Sequence, residues 1–196
     1  TTVFKHDPAD PASLNDNWIL SIAEDTIGTL WIRTLNSPLL NKFDRATETF
    51  GHVSRDSVDL SRAHQNSVKA ECEEPSGVQW RGTIGGGVTR FDPRTGETVT
   101  YKHDPANPAS LIDDRVYSIH RDKYGAVWIG TKEGLDRYDP STERFEHYRH
   151  NPADPRSLSD NWVWPILEDR NGVLWVGTFR GGLNRGGNLL GWPPVA

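Results

Sequence analysis

Several features that mark other classes of protein are scarce or missing in this chain. Its 196 residues include one cysteine, Cys72, so no internal disulfide can form and the redox compartment stays open. No run of 18 apolar residues occurs, and we therefore expect no membrane segment. The opening TTVFKHDPAD carries no targeting signal. Because the chain starts at threonine rather than methionine, we expect a trimmed or excised domain.

Excess positive charge is also missing. The chain has 22 Lys and Arg against 27 Asp and Glu, a net charge of −5 and a pI near 5.8. A protein that binds nucleic acid phosphates would usually carry a basic face, so we expect no nucleic acid partner. Long stretches of helical periodicity are absent as well. Eighteen glycines and thirteen prolines favour frequent turns over long helices.

What the chain does have is an internal repeat. Four similar segments each contain a tryptophan, and the tryptophans lie 49, 48 and 47 residues apart: EDTIGTLWIRT with Trp31, EEPSGVQWRGT with Trp80, RDKYGAVWIGT with Trp128 and EDRNGVLWVGT with Trp175. A residue fixed in every unit is usually architectural. We therefore predict that these four rings seal neighbouring sheets rather than bind a ligand.

Each repeat reads as four short strands. VYSIHRD and AVWIGT are apolar segments of strand length separated by a turn with a glycine, and GLDRYD and RFEHY alternate with a period of two. Units of this length with four strands predict an all-β fold, a β-propeller of four-stranded antiparallel blades. We place the propeller at 1–185 and a non-repeat tail at 186–196, with units at about 4–50, 51–101, 102–148 and 149–185.

A polar loop opens three of the units: FKHDPADPASLNDN, YKHDPANPASLIDD and YRHNPADPRSLSDN. We call this loop the strap, because it connects the outermost strand of one blade to the innermost strand of the next. Its prolines favour extended backbone and stiffen it. Ser13, Ser110 and Ser157 are placed to form local bonds to the backbone.

The phase of the repeat leaves the last unit without a fourth strand. Residues 1–6 are equivalent to an outermost strand, so TVFKH is predicted to complete the last blade and remove its free edge. Two architectures stay open: a closed ring of four blades, or an arc that belongs to a larger ring. An isolated arc would expose apolar faces and is expected to self-associate.

These motifs resemble the two-component regulator propeller repeat. The resemblance rests on the strap, on the E-D-x-x-G-x-L-W-I-G-T segment and on G-G-L-x-R-F-D-P, and it covers roughly residues 1–185. It implies a sensor propeller outside the membrane in a bacterial two-component system, hence a periplasmic or extracellular location. Many members of the family respond to polysaccharide fragments.

The residues do not indicate a catalytic or metal site, and we expect no cofactor. His6, His103 and His150 open the three straps on separate blades, where each imidazole is expected to bond nearby backbone. No pair of close histidines with a carboxylate has metal-ligand spacing. Cys72 lies in KAECEEP, where glutamates would raise the pKa of its thiol. Gly-rich stretches lack the lysine of a phosphate loop.

A ligand site is predicted at the start of the innermost strands. Trp18 and Trp162 follow Asp-Asn at equivalent positions, and Arg115 is their counterpart in the third unit. Trp164 falls on the same face as Trp162 if that strand alternates regularly. Aromatic rings and arginine at the mouth of a channel can stack on sugars and bond hydroxyl groups. The predicted ligand-binding set is Trp18, Arg115, Trp162, Trp164, Asn17, Asn161 and Asp114.

The sequence therefore predicts a non-catalytic module that binds an oligosaccharide, a small molecule or a partner. Two alternatives remain: a propeller enzyme of lyase or hydrolase type, and a self-assembling structural fragment.

Overall fold

The fold is all β. The computed structural model describes residues 2–25, 27–54, 64–66 and 70–186, with only the backbone described at 64–66. These residues form no helix, and so none that could cross a bilayer. The strands are β1 (Thr2–Phe4), β2 (Ile19–Glu24), β3 (Leu30–Thr34), β4 (Leu39–Asp44), β5 (Thr49–Ser54), β6 (His64–Asn66), β7 (Glu71–Glu73), β8 (Gln79–Thr83), β9 (Gly87–Asp92), β10 (Glu97–Tyr101), β11 (Val116–Arg121), β12 (Val127–Thr131), β13 (Leu135–Asp139), β14 (Arg144–Tyr148), β15 (Val163–Glu168), β16 (Leu174–Thr178) and β17 (Leu183–Gly186).

Four antiparallel sheets use these strands, and we number them as blades in chain order. Their strand orders are β5-β4-β3-β2-β6 for blade one, β10-β9-β8-β7 for blade two, β11-β12-β13-β14 for blade three and β1-β17-β16-β15 for blade four. The inner strands β7, β11, β15 and β2 contact one another in that order. The predicted all-β architecture of four-stranded antiparallel blades is confirmed.

The N-terminal strand completes blade four. β1 pairs with β17 in the register Thr2↔Arg185 and Phe4↔Leu183, as the phase of the repeat predicts. Phe4 then packs against the core shared by blades four and one. The strand covers an edge of unpaired N–H and C=O groups that would otherwise be open to association.

Blade one has a fifth strand that the sequence analysis did not anticipate. β6 pairs antiparallel with the inner edge of β2, in the register Ile22↔Asn66 and Glu24↔His64. Residues 64–66 lie where the strap of the second unit has lost its prolines. Without proline, every residue of β6 keeps a backbone N–H that can join the ladder. The other residues of this degenerate strap, 55–63 and 67–69, lie outside the described residues.

The turn between the first two strands is the same in all four blades. Gly28, Gly77, Gly125 and Gly172 have φ between 77° and 95°, the left-handed conformation that glycine tolerates best. A carboxylate at the start of each turn accepts the indole N–H of the tryptophan six residues later. The Nε1···O distances are 2.9 Å from Trp31 to Asp25, 2.7 Å from Trp80 to Glu74, 2.9 Å from Trp128 to Asp122 and 2.8 Å from Trp175 to Asp169.

Three of these tryptophans seal adjacent blades, as predicted. Trp80 packs edge-on against Tyr138 of blade three, with ring centroids 4.8 Å apart. Trp128 lies in the core between blades three and four, and Trp175 meets Phe43 of blade one at 5.1 Å. Among the described residues, Trp31 belongs to none of these three cores.

A glycine two residues after the sealing tryptophan lets the next blade approach. A Cβ at Gly177 would lie 2.6 Å from Cγ2 and 2.8 Å from Cβ of Ile19 on blade one. A Cβ at Gly130 would lie 2.8 Å from Val163 of blade four, and one at Gly82 would overlap Val116 of blade three. These separations are far shorter than the usual 3.5–4.0 Å between carbon atoms, about which dispersion is optimal.

Candidate functional site

The three proline-containing straps have one hydrogen-bond pattern. In the first strap, the Ser13 hydroxyl donates to the Asp7 carbonyl at 3.0 Å and accepts the Asp7 N–H at 2.9 Å. Ser110 and Ser157 form the same pair of bonds. The strap histidines bond backbone carbonyls through Nδ1, at 2.6 Å from His6 to Leu14 and similarly in the other two straps. The predicted roles of the serines and of these histidines are confirmed.

The strap also fixes three of the predicted ligand-binding residues. Asn17 Oδ1 accepts the backbone N–H of His6 at 2.7 Å, and Asn161 accepts that of His150 at 2.7 Å. Asp114 accepts the N–H of His103 at 2.8 Å. These side chains tie the end of the strap to its beginning. Their ligand contacts remain a prediction, with one oxygen of each already bonded.

The predicted tryptophans come together in one group of five half-buried rings, which we call the aromatic cluster. Its members belong to blades one, three and four: Trp18, Tyr117, Trp162, Trp164 and Phe179. Phe179 is at its centre, stacked on Trp18 with centroids 4.5 Å apart and on Trp162 at 4.1 Å. Tyr117 contacts Trp162 and Trp164 at 5.7 and 6.0 Å. Trp162 and Trp164 thus lie on one face, as alternation predicts.

Two cations contact this cluster. Lys132 Nζ lies 5.4 Å from the ring centroid of Trp162, and the Arg180 guanidinium carbon lies 5.8 Å from that of Trp18. The carboxylates beside the cluster face the backbone: Asp160 accepts the N–H of Trp162 at 2.8 Å, and Asp16 accepts that of Asn36 at 3.0 Å. The surface around the rings is therefore aromatic and cationic.

Arg115 does not join the aromatic cluster. Its guanidinium forms two hydrogen bonds to Asp113, at 2.8 and 2.6 Å, and lies 3.5 Å from Glu133. The hydrogen bond that Arg115 donates to Asp113 raises the pKa of Arg115 above its ordinary value. Burial alone would raise the pKa of Asp113, but the bonds from Arg115 lower it. These residues line a cleft of about 490 Å³ beside the third strap, separate from the rings.

His147 lines the same cleft and pairs with Asp136. His147 Nδ1 lies 2.6 Å from Oδ1 of the fully buried Asp136, and Nε2 lies 2.7 Å from the Pro108 carbonyl of the strap. The imidazole thus bridges the Asp136 carboxyl group and the strap. The bond to Asp136 raises the pKa of His147, and burial raises that of Asp136. The pair fastens the strap to blade three.

Metal ligands and the single thiol were the other chemical candidates in the sequence. No three His, Cys, Asp or Glu side chains among them are placed to hold a metal ion. Burial, followed by the charge of Glu74, raises the pKa of the Cys72 thiol to about 12. The sequence-based expectation about Cys72 is confirmed, because its thiol is protonated at neutral pH.

Sequence reasoning missed Tyr117 and Phe179. A signal was present for Phe179, whose backbone N–H bonds the Trp162 carbonyl at 2.9 Å. Leu35 and Lys132 occupy the same repeat position and make the same bond to Trp18 and Arg115. In these three blades the residue after the second strand therefore lies beside the predicted site, and in blade four it is aromatic.

Comparison with known proteins agrees with this fold. Residues 13–36, 110–133 and 157–180 match the family model for the two component regulator propeller. Histidine kinase P4 of Formosa agariphila is 32% identical over 117 residues, which are 59% of this chain and 8% of that protein.

Solved structures give the same picture. The extracellular domain of a B. thetaiotaomicron protein assigned to the hybrid two component systems aligns with a TM-score of 0.50 at 22% identity, over 88% of this chain and 22% of that one. Virginiamycin B lyase from Staphylococcus aureus aligns at 0.42 and 14% identity, over 92% of this chain and 59% of that one, a likeness too low to bear on activity. The chain spans less than a quarter of the kinase and of the sensor domain. Three of its four units thus each contain a segment that matches the two component regulator propeller model.

Proposed function

We propose that this chain is a non-catalytic, ligand-binding propeller module of the sensor type, and that oligosaccharides bind at the aromatic cluster. The observation that carries the proposal is the convergence of five half-buried rings from three blades on one site. Flat apolar rings with polar groups at their margins suit the faces of sugar rings, which carry C–H groups between hydroxyls.

The surroundings of the cluster favour binding over catalysis. A general acid or base needs a titratable group that is free to exchange a proton with the ligand. Asp16 and Asp160 accept backbone N–H bonds, and the Asp113–Arg115 pair is removed from the rings. The matched relatives support a role in signalling, since one is named a histidine kinase and another is an extracellular domain of a two component system. A periplasmic or extracellular location belongs to the same proposal.

Glycan binding by the purified chain tests the proposal. An oligosaccharide array followed by calorimetric titration should identify ligands, and Phe179→Ala and Trp162→Ala should each weaken binding by about tenfold, which corresponds to about 1.4 kcal/mol. Tyr124→Ala is the matched control, because Tyr124 is an exposed aromatic residue, 61% accessible, in a turn outside the cluster. Equal binding by Phe179→Ala and by the unmodified chain would remove the cluster from the proposed function.

A further inference from the structure

Among the described residues, six buried side-chain nitrogen or oxygen atoms have no hydrogen-bond partner, and two of them belong to the aromatic cluster. The indole N–H groups of Trp162 and Trp164 are buried and have no acceptor. The four repeated tryptophans differ, since each donates to a carboxylate at 2.7 to 2.9 Å. An unsatisfied buried donor costs about 1–3 kcal/mol. Trp162 and Trp164 thus lack the carboxylate partner that the repeated tryptophans have.

The two cations at the cluster are also without a carboxylate. Among the described ion pairs, which use Arg45, Arg94, Arg115, Lys123, Arg137, Arg149, Arg156, Arg170 and Arg185, neither Lys132 nor Arg180 occurs. The chain as a whole is acidic, with a net charge of −5. The charge beside the rings is therefore positive, whereas the net charge of the chain is negative.

We infer that the cluster selects an anionic sugar, such as a uronate, rather than a neutral one. The two charged groups that contact the rings, the Lys132 ammonium and the Arg180 guanidinium, are both donors. A carboxylate offers only acceptors, and hydrogen bonds between charged partners are about twice as strong as neutral ones. The inference rests on the proposed function and specifies its ligand.

Matched ligands separate this inference from the proposed function. Titration uses uronate-containing oligosaccharides, with galacturonate, glucuronate or mannuronate units, and the carboxyl-reduced form of each. We expect the reduced forms to bind about tenfold more weakly. Affinity for the charged forms should fall as ionic strength rises, because salt screens the attraction.

Two charge-neutralising variants complete the test. Lys132→Gln and Arg180→Gln should each weaken binding of the charged sugar by about fivefold and leave the reduced sugar nearly unaffected. Lys42→Gln is the matched control, since Lys42 Nζ lies over Trp31 at 5.9 Å in the same arrangement away from the cluster. Equal affinity for charged and reduced sugars overturns the inference and leaves the proposed function standing. If no sugar of either kind binds, both are wrong.

A second inference concerns the faces of blades one and two that would meet in a closed ring. On blade one, an exposed Arg33 occupies the position at which Gly82, Gly130 and Gly177 admit the next blade. On blade two, Gln79 and Arg81 flank the tryptophan where every other blade has buried Leu, Val or Ile. Both faces have thus lost the residues that seal the other blade pairs.

The outer strands of blade two show the same change. Phe91 occupies the position of Phe43 and Tyr138, which pack against the tryptophan of the preceding blade and are 3% exposed. Phe91 is 36% exposed. Of these three equivalent aromatic residues, Phe91 is therefore the accessible one.

We propose that the blades form an arc in the order two, three, four, one, with Arg33 and Arg81 exposed on the end surfaces of blades one and two. Terminal repeats of stacked architectures require a polar outer face, which Arg33 and Arg81 supply. The arginine on each end also opposes end-to-end joining of two copies. The arc is therefore expected to be a monomer.

Thiol labelling of a cysteine placed on the end face tests the arc. In a Cys72→Ser background, Arg81→Cys should react with maleimide at nearly the rate of an unfolded peptide. Ile129→Cys, the equivalent position on the sealed face of blade three, should be protected at least tenfold more, about 1.4 kcal/mol of opening. Equal protection of the two in dilute protein overturns the proposal. If the Cys72→Ser variant fails to fold, the thermal stability of the Arg33→Trp variant is measured instead. A loss of thermal stability in Arg33→Trp counts against the arc.

Discussion

Replacing Gly177 with alanine should weaken the packing of blades four and one. The added Cβ would lie 2.6 Å from Ile19 Cγ2 and equally near the ring of Pro165, which cannot rotate away. Restoring a contact of about 3.6 Å requires the blades to separate locally by about 1 Å, and a gap of that size forfeits about half of each dispersion contact. Overpacking of this kind costs about 1–3 kcal/mol.

Thermal unfolding followed by circular dichroism measures the effect. For a chain of this size, about 2 kcal/mol lowers the Tm by about 4–8 °C. Gly51→Ala is the control, because a Cβ at Gly51 meets nothing within 4 Å, and its Tm should be unchanged or slightly raised. A Gly177→Ala variant as stable as the Gly51→Ala variant would show that the glycine does not set the approach of the blades.

Three further outcomes are expected. Trp175→Ala should lower the free energy of unfolding in urea by about 3–5 kcal/mol, because Trp175 is fully buried between two blades. Trp31→Ala should lower it by clearly less, because Trp31 lies outside the three interblade cores. Equal losses would contradict the assigned packing. The raised pKa of His147 means that its contribution is complete below the unfolded value of about 6.5 and is lost as the pH rises through the folded value. Urea unfolding across this pH window should therefore depend less on pH in His147→Gln, and an unchanged slope would assign the effect to another group. The Cys72 thiol, with its pKa near 12, should react with a thiol reagent at neutral pH far more slowly than an unfolded peptide, and rapid modification would contradict its burial.

The repeat alone was enough to predict the blades. Each unit satisfies its own backbone through short hairpins, so strand positions follow from local signals such as Gly125 in its turn and the alternation of RFEHY. The strap was equally predictable, since Ser110 and His103 bond to partners only six and eight residues away in the chain. Interactions between residues this close in the chain can be predicted from the local sequence.

The candidate site was predictable only in part. Trp18 and Trp162 stood out as departures from the repeat, and the structure brings both onto Phe179. Arg115 was predicted on the same equivalence, but it turns to Asp113 two residues earlier and away from the rings. Equivalence of position fixes where a backbone lies, whereas the side chain follows the charges within its reach.

The sequence by itself determined the all-β fold, the tryptophan at one fixed position in each blade and the N-terminal strand that completes the last blade, because these depend on periodicity and on local backbone chemistry. The tertiary structure decided which rings meet. Phe179 joins tryptophans from blades one and four that are 144 residues apart in the chain (162 − 18), and Trp31 is left outside the interblade cores. Contacts between blades depend on the separation and orientation of neighbouring sheets, which the repeat period of the sequence does not determine.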